Sequence, residues 1–257
     1  MELHASGQRW KLYAGDAMVV LPSLGPVAAT ITDPPYSSGG AFRGDRTGSA
    51  RAKYANSGSK SADFVPNFTG DNRDQRAYLS WCSVWLGMCL DLTEPGGPLV
   101  CFTDWRQLPT TTDAVQCGGW VWRGIVPWVK PNTRPQMGRF MAQCEYAVWG
   151  TKGGARDDKA VGCLRGFYEC QPRGMAQREH LTEKPEDVMR ALAKICRPGG
   201  PILDPFCGSG STGVGALREG REFVGIEREP AYLDIAARRL AQAEYDGVQC
   251  GLFGGGE

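Results

Sequence analysis

Short apolar runs alternate with amphipathic stretches along this chain, which predicts an α/β architecture. Residues 27–32, 98–103, 201–204 and 223–226 read as strands. Residues 120–129 and 145–151 read as two more that form an antiparallel pair, and 3–13 as an edge strand or the start of a hairpin. Tyr78, Trp81, Val84, Trp85, Met88 and Leu92 recur at helical spacing, so a helix with a core-facing stripe is expected there, ended by Pro95, Gly96 and Gly97. Further helices are expected just after Gly15 and Asp16, over 185–196 with Pro185 in the first turn, from Val214, and over 230–243 through Leu233, Ala236, Ala237 and Leu240. Two stretches lack any period. Residues 37–72 are rich in Gly, Ser and Arg and read as a long loop, while 153–177 carry mixed charge around Phe167 and Tyr168. The glycines at 254–256 are expected to fray.

The tip of strand 27–32 has unusual chemistry. Asp33, Pro34, Pro35 and Tyr36 follow it directly. A carboxylate accepts hydrogens from an exocyclic amine, two prolines offer carbonyls in a fixed direction and no N–H, and a tyrosine ring gives a base a face to stack on. Together they describe a pocket for a planar, amino-bearing heterocycle. The plainer alternative is an extended turn, which the residue before a proline favours in any case. The tip of strand 98–103 carries Asp104, Trp105 and Arg106, at the kind of edge where ligands collect in open α/β sheets.

A second tip follows strand 201–204. Asp204 ends the strand, Pro205, Phe206, Cys207, Gly208, Ser209 and Gly210 form a turn, and Ser211, Thr212 and Gly213 lead into the helix from Val214. Gly208, Gly210 and Gly213 match G-x-G-x-x-G between a strand and a helix, the setting in which glycines allow a ligand close to the backbone. The next strand ends in Glu227, placed to accept hydrogen bonds from ribose hydroxyls.

Asp33–Tyr36 first and Asp204–Gly210 late is the motif order of the β class of DNA amino-methyltransferases, which this chain resembles over most of its length. That order is a circular permutation of the other classes. The segment His180–Pro185 resembles the family's His-Pro-Thr-x-Lys-Pro, with Leu181 in place of the proline, and Tyr13–Ala17 resembles its short Gly-Asp segment. The resemblance implies a Rossmann-like fold with a mostly parallel sheet and a small target-recognition insert, in a single catalytic domain spanning 1–257. It implies transfer of a methyl from S-adenosylmethionine (SAM) to adenine N6 of flipped, double-stranded DNA, leaving S-adenosylhomocysteine. Asp33, Pro34, Pro35 and Tyr36 would be catalytic. Asp204, Phe206, Cys207, Gly208, Ser209 and Gly210 would bind the cofactor, Phe206–Gly210 wrapping its methionine portion, with Ser209, Ser211 and Thr212 as hydroxyl donors. Asp16 would meet the adenine amino group, and His180, Thr182 and Lys184 would lie at the carboxylate end. His180 and Thr182 serve equally as polar residues at a helix entry.

Charge refines this picture. The net charge of +1 announces no nucleic-acid partner, but residues 37–60 carry five basic side chains against Asp45, and residues 130–178 carry nine against four acids. Arg43, Arg46, Arg51 and Lys53 in the first segment, and Lys130, Arg134 and Arg139 in the second, are the candidate phosphate contacts, unless these runs are simply solvated faces. Residues 37–72 would be the DNA-contacting loop and 151–179 the recognition insert. The 10 cysteines include no C-x-x-C and the histidines number only 2, so no metal site is expected. Methylation at a ring carbon needs a cysteine at the catalytic motif, and Asp33–Tyr36 has none. No signal-peptide pattern precedes the first strand and no apolar run spans a bilayer. A cytoplasmic, nucleoid-associated protein of bacterial or phage type is therefore expected, without a membrane partner. Many relatives in the family form homodimers. Cytosine-N4 transfer and a catalytically idle DNA-binding protein of the same fold stay open beside adenine-N6, as does an RNA or protein-glutamine substrate.

Overall fold

The computed structural model describes residues 2–37, 73–133, 135, 137–171 and 184–253. Among the described residues nine strands form one sheet. In chain order they are β1 (Glu2–Ser6), β2 (Trp10–Ala14), β3 (Ala29–Thr32), β4 (Pro98–Thr103), β5 (Val121–Val129), β6 (Cys144–Thr151), β7 (Tyr168–Glu169), β8 (Pro201–Asp204) and β9 (Glu222–Glu227). Their order across the sheet is β1-β2-β9-β8-β3-β4-β6-β5-β7. The five central strands β2, β9, β8, β3 and β4 run parallel, whereas β1 and β6 pair antiparallel with their neighbours. The hairpin expected at the start is β1–β2, and the antiparallel pair expected later is β5–β6.

Parallel central strands are covered on both faces, and their side chains show it. In β4, Val100 and Phe102 enter one apolar cluster while Leu99 and Cys101 enter the other; in β8, Ile202 and Leu203 divide the same way. On one face lie α4 (Glu186–Ala193), α5 (Ser211–Arg218) and α6 (Pro230–Phe253), through Val188, Met189, Val214, Leu233 and Leu240. On the other lie α1 (Ala17–Val20), α2 (Gln75–Leu92) and α3 (Leu108–Cys117), through Val20, Tyr78, Trp85 and Val115. The result is a three-layer α/β/α sandwich.

Several expectations are refined. Val84, expected on the core stripe of α2, is 49% exposed, because the stripe is carried by Tyr78, Cys82, Trp85, Leu86 and Cys89. Helix α3 was not anticipated: its buried face includes Thr111 and Thr112, so the apolar period is too weak to read. Helix α6 continues ten residues beyond Ala243. Of the proposed recognition insert, the described part is joined to the sheet by β7, which pairs with β5, and by Trp128 Nε1 donating to the Cys170 carbonyl at 2.9 Å. Apart from Ser37, the loop 37–72 lies outside the described residues, and so does the tail at 254–257.

Candidate active site

Because β2, β9, β8, β3 and β4 are parallel, the residues after them collect on one edge: Asp16, Glu227, Asp204–Gly210, Asp33–Tyr36 and Asp104. The two motifs separated by about 170 positions in sequence become neighbours through one bond. The Thr32 hydroxyl of β3 donates to Asp204 Oδ1 of β8 at 2.7 Å.

Asp204 is turned inward and its carboxylate is filled by the protein. Oδ1 also accepts the Phe206 N–H at 3.0 Å, and Oδ2 accepts the Thr212 hydroxyl at 2.6 Å. It shapes the loop from within. Gly208 and Gly210 have φ of 50° and 82°, the left-handed region that a side chain resists. A Cβ at Gly213 would lie 2.5 Å from Leu240 and 2.6 Å from the Phe223 ring, so this glycine lets α5 pack against β9 and α6. From α6, Arg239 reaches back to the loop, donating to the Ser209 carbonyl and hydroxyl at 2.9 Å each. Sequence reading gave no hint of that clamp. Glu227 holds the far side: Oε2 accepts the Gly208 N–H at 2.9 Å, and Oε1 accepts the N–H groups of Arg228 and Glu229 at 2.8 and 2.9 Å. Burial pushes its carboxyl up, and these three N–H groups pull it partly back. Asp16 is exposed and caps α1, its Oδ1 accepting the Met18 N–H at 2.9 Å. Cys207 is buried, with a thiol pushed well up by that burial, as suits a packing residue.

Burial also pushes the Asp204 carboxyl up, to about 7, against the pull of the Thr212 and Thr32 hydroxyls and the Phe206 N–H. A carboxyl raised by folding from its ordinary 3.8 stabilises the fold fully below that pH, and the contribution is lost as pH rises to about 7. The loss reaches at most about 1.4 kcal/mol per pH unit. Asn at this position does not titrate. Urea unfolding should therefore show Asp204→Asn gaining stability relative to wild type as pH rises from 4 to 7, and a constant difference would contradict the buried-carboxyl assignment.

The β3 tip carries a charged cluster. Asp33 Oδ1 accepts the Tyr36 hydroxyl at 2.5 Å, and Oδ2 accepts the Lys184 ammonium at 2.6 Å. Lys184, expected at the carboxylate end of the cofactor, lies between two acids, 3.2 Å from Glu145 of β6 on its other side. Glu145 in turn takes Lys130, the residue that follows β5, at 2.8 Å, so that side chain, a candidate phosphate contact, is engaged inside the protein. The cluster is two ammoniums and two carboxylates. Lys184 is only 5% exposed, but Asp33 keeps 22% of its side chain open for approach. Burial raises the Asp33 carboxyl above its ordinary value, opposed by Lys184. Burial alone would lower Lys184, but Asp33 and Glu145 more than offset it and hold the ammonium charged. Glu145 would also rise on burial, yet Lys184 and Lys130 bring it down to about 2. Tyr36 is pushed well up by burial and by Asp33, so its hydroxyl donates and does not ionise.

An aromatic wall closes the loop side. The Phe206 ring lies 5.3 Å from Trp81 and 5.0 Å from Trp85, and the Arg73 guanidinium sits 4.0 Å over Trp81. Trp81 therefore lines the site edge as well as packing on the core. Asp104 holds the turn that precedes α3, its Oδ1 accepting the N–H groups of Arg106 and Gln107 at 3.0 and 2.9 Å. Arg139 is exposed on the β5–β6 loop. His180, Thr182, Arg43, Arg46, Arg51, Lys53 and Arg134 lie outside the described residues. No group of His, Cys, Asp or Glu suited to a metal occurs among the described residues, and the nine cysteines whose side chains are described are free.

The profile of the DNA methylase family, N6/N4 type, matches residues 27–238, which takes in both motifs and every strand between them. The chain belongs to the N6/N4 DNA methylase family. Among its relatives, the type II methyltransferase M.HinfI of Haemophilus influenzae is 26% identical over 187 residues, 64% of this chain and 52% of that protein. The chain thus spans about half the length of that curated relative. The crystal structure of the M1.HpyAVI–SAM complex is 26% identical, with 90% of this chain and 98% of that one covered at a TM-score of 0.65. The cytosine-N4-specific PvuII DNA methyltransferase shares the fold at a TM-score of 0.68 and 16% identity, over 96% of this chain and 95% of its own. Like the family, the chain has the α/β sandwich with a mostly parallel sheet. Among the described residues no helix is long and apolar enough to cross a membrane.

Proposed function

We propose that this chain is a site-specific DNA methyltransferase that methylates N6 of an adenine flipped out of double-stranded DNA, using SAM. One observation carries the reading. A partly open carboxylate, Asp33, is fixed at the β3 tip beside a glycine loop to which Thr32 and Asp204 tie it.

The loop residues fit SAM. Gly208 and Gly210 bring backbone close to a ligand, Ser211 opens α5 with a hydroxyl, and Glu227 and Asp16 place carboxylates on adjacent strand tips as acceptors for ribose hydroxyls and an adenine amino group. Thr212, expected as a second hydroxyl donor, instead gives its hydrogen to Asp204 and shapes the loop from within. When bound, SAM supplies a methyl group activated by the sulfonium, so no covalent enzyme intermediate is needed. The chain's own task lies at the acceptor. The lone pair of an exocyclic amine is delocalised into the ring, and Asp33 with the Pro34 carbonyl would hold the amino hydrogens and favour a more tetrahedral nitrogen. As the nitrogen gains its methyl it sheds a proton, and Asp33 is the acceptor within reach. Tyr36 would stack on the flipped base. Lys184 keeps Asp33 oriented and, with Glu145 and Lys130, balances the local charge.

Cytosine N4 presents the same amine to the same pocket; the aspartate at the first motif position favours adenine. Nucleoside analysis of duplex DNA incubated with the protein and methyl-labelled SAM separates the two, with label expected in N6-methyladenine. Label in N4-methylcytosine would reverse the base assignment, and no label in DNA would remove the function. Glu227→Ala should weaken SAM binding by about 1–3 kcal/mol through loss of a buried acceptor. Unchanged affinity by calorimetry would take Glu227 out of the site.

A further inference from the structure

We propose that the loop joining β5 to β6 is a DNA wedge, in which Phe140, with Met137 beside it, enters the base stack where the target nucleotide has left. The inference rests on the methyltransferase reading above. Its starting observation is an exposure that folding does not account for: Phe140 is 102% exposed and Met137 99%, while Met141 is 41% exposed on the same loop. Gly138, at φ 67°, turns the chain between the first two.

The loop is rooted in the acceptor site. Its two ends are closed by the Lys130 N–H donating to the Gln143 carbonyl at 2.7 Å and by Gln143 Nε2 donating to the Pro131 carbonyl at 2.9 Å. From that root Lys130 pairs with Glu145, Glu145 with Lys184, and Lys184 with Asp33. The apolar tip thus rises from the residues that hold the proposed catalytic carboxylate. A duplex docked there would meet it beside the extruded base.

The chemistry of the loop selects a polyanion as its occupant. Residues 130–143 carry no acid; with Lys130 committed to Glu145, their basic side chains left for an anion are Arg134 and Arg139, and Arg139 is exposed next to Phe140. Extruding a base leaves two neighbours without a stacking partner, and an apolar wedge that fills the gap keeps the base out. An aromatic ring suits that gap, since every base offers a flat face.

Phe140→Ala removes no buried contact, so the fold survives the test. The probes are two duplexes bearing the methylation site identified by modified-base sequencing, one fully paired and one with an abasic position opposite the target. On the paired duplex kcat/KM should fall by about tenfold or more, and on the abasic-partner duplex, where the target leaves the helix freely, it should return to within about threefold of wild type. The KM for SAM should not change, and Phe140→Trp should keep wild-type rates. 2-Aminopurine at the target should report less extrusion in the alanine variant. Equal loss on both duplexes, or no loss on either, overturns the wedge. So does loss accompanied by conversion of a wild-type dimer to a monomer, which would make a second copy the occupant. A wild-type protein that methylates neither duplex overturns the methyltransferase reading and the wedge with it.

Discussion

Asp33→Ala removes methyl transfer, by about a thousandfold or more, and leaves SAM affinity within a few-fold of wild type. The division follows from the geometry. Asp33 is bonded to Tyr36 and Lys184 on the proposed acceptor side, whereas the glycine loop proposed to hold SAM is fixed by Asp204, Glu227 and Arg239, none of which uses Asp33 as a partner. Lys184 also keeps Glu145 as a counter-ion in the variant, so the local fold persists. Labelled-methyl transfer and calorimetry read the two halves separately. Near-normal turnover would remove Asp33 from the chemistry, and a collapse of SAM affinity would show that the two halves of the site are not independent.

Lys184→Met should be the more damaging change to the protein itself. It leaves Asp33 and Glu145 side by side without the ammonium between them, in a site that is mostly desolvated. Removing one partner of a fully buried pair costs about 3–5 kcal/mol. Both carboxylates are about one-fifth exposed, so about 2–3 kcal/mol is expected in urea unfolding. The sign of the pH effect is also fixed. Loss of a neighbouring cation favours the protonated carboxyl, so Asp33, already raised by burial, rises further. Any residual activity of the variant should fail at a higher pH than in wild type as the solution is made acid, because protonated Asp33 no longer accepts the amino hydrogens. An acid limb that stays in place would mean that Lys184 does not act through Asp33.

The parts of this site legible in the sequence are those in which local chain chemistry is unusual. Two prolines and an acid after an apolar strand, or three glycines between a strand and a helix, constrain the backbone wherever they occur, and parallel strands then bring their tips to one edge. Long-range partners leave no such mark. Lys184 is 151 positions from Asp33, and nothing in its own neighbourhood says that its ammonium turns to Asp33 and Glu145. Glu145 read only as the start of a strand, because a charged residue at a strand end is ordinary until its neighbours across the sheet are known. Arg239 lies on the amphipathic α6, where an arginine is expected to be solvated, and its grip on Ser209 depends on how closely α6 packs beside α5. Trp81 fitted the helical period of α2 and so read as core; that it also forms the wall beside Phe206 is set by the position of the glycine loop, not by its own spacing.

The central claim is that this chain places SAM and a flipped adenine on either side of Asp33. Its most direct test is to express the protein in a host free of DNA methylation and sequence the genomic DNA with modified-base detection, alongside Asp33→Ala. The account predicts N6-methyladenine at one short recurring sequence with the wild-type protein and none with the variant. Methylation on cytosine, methylation that persists without Asp33, or DNA left unmodified by a folded, SAM-binding protein would each contradict it.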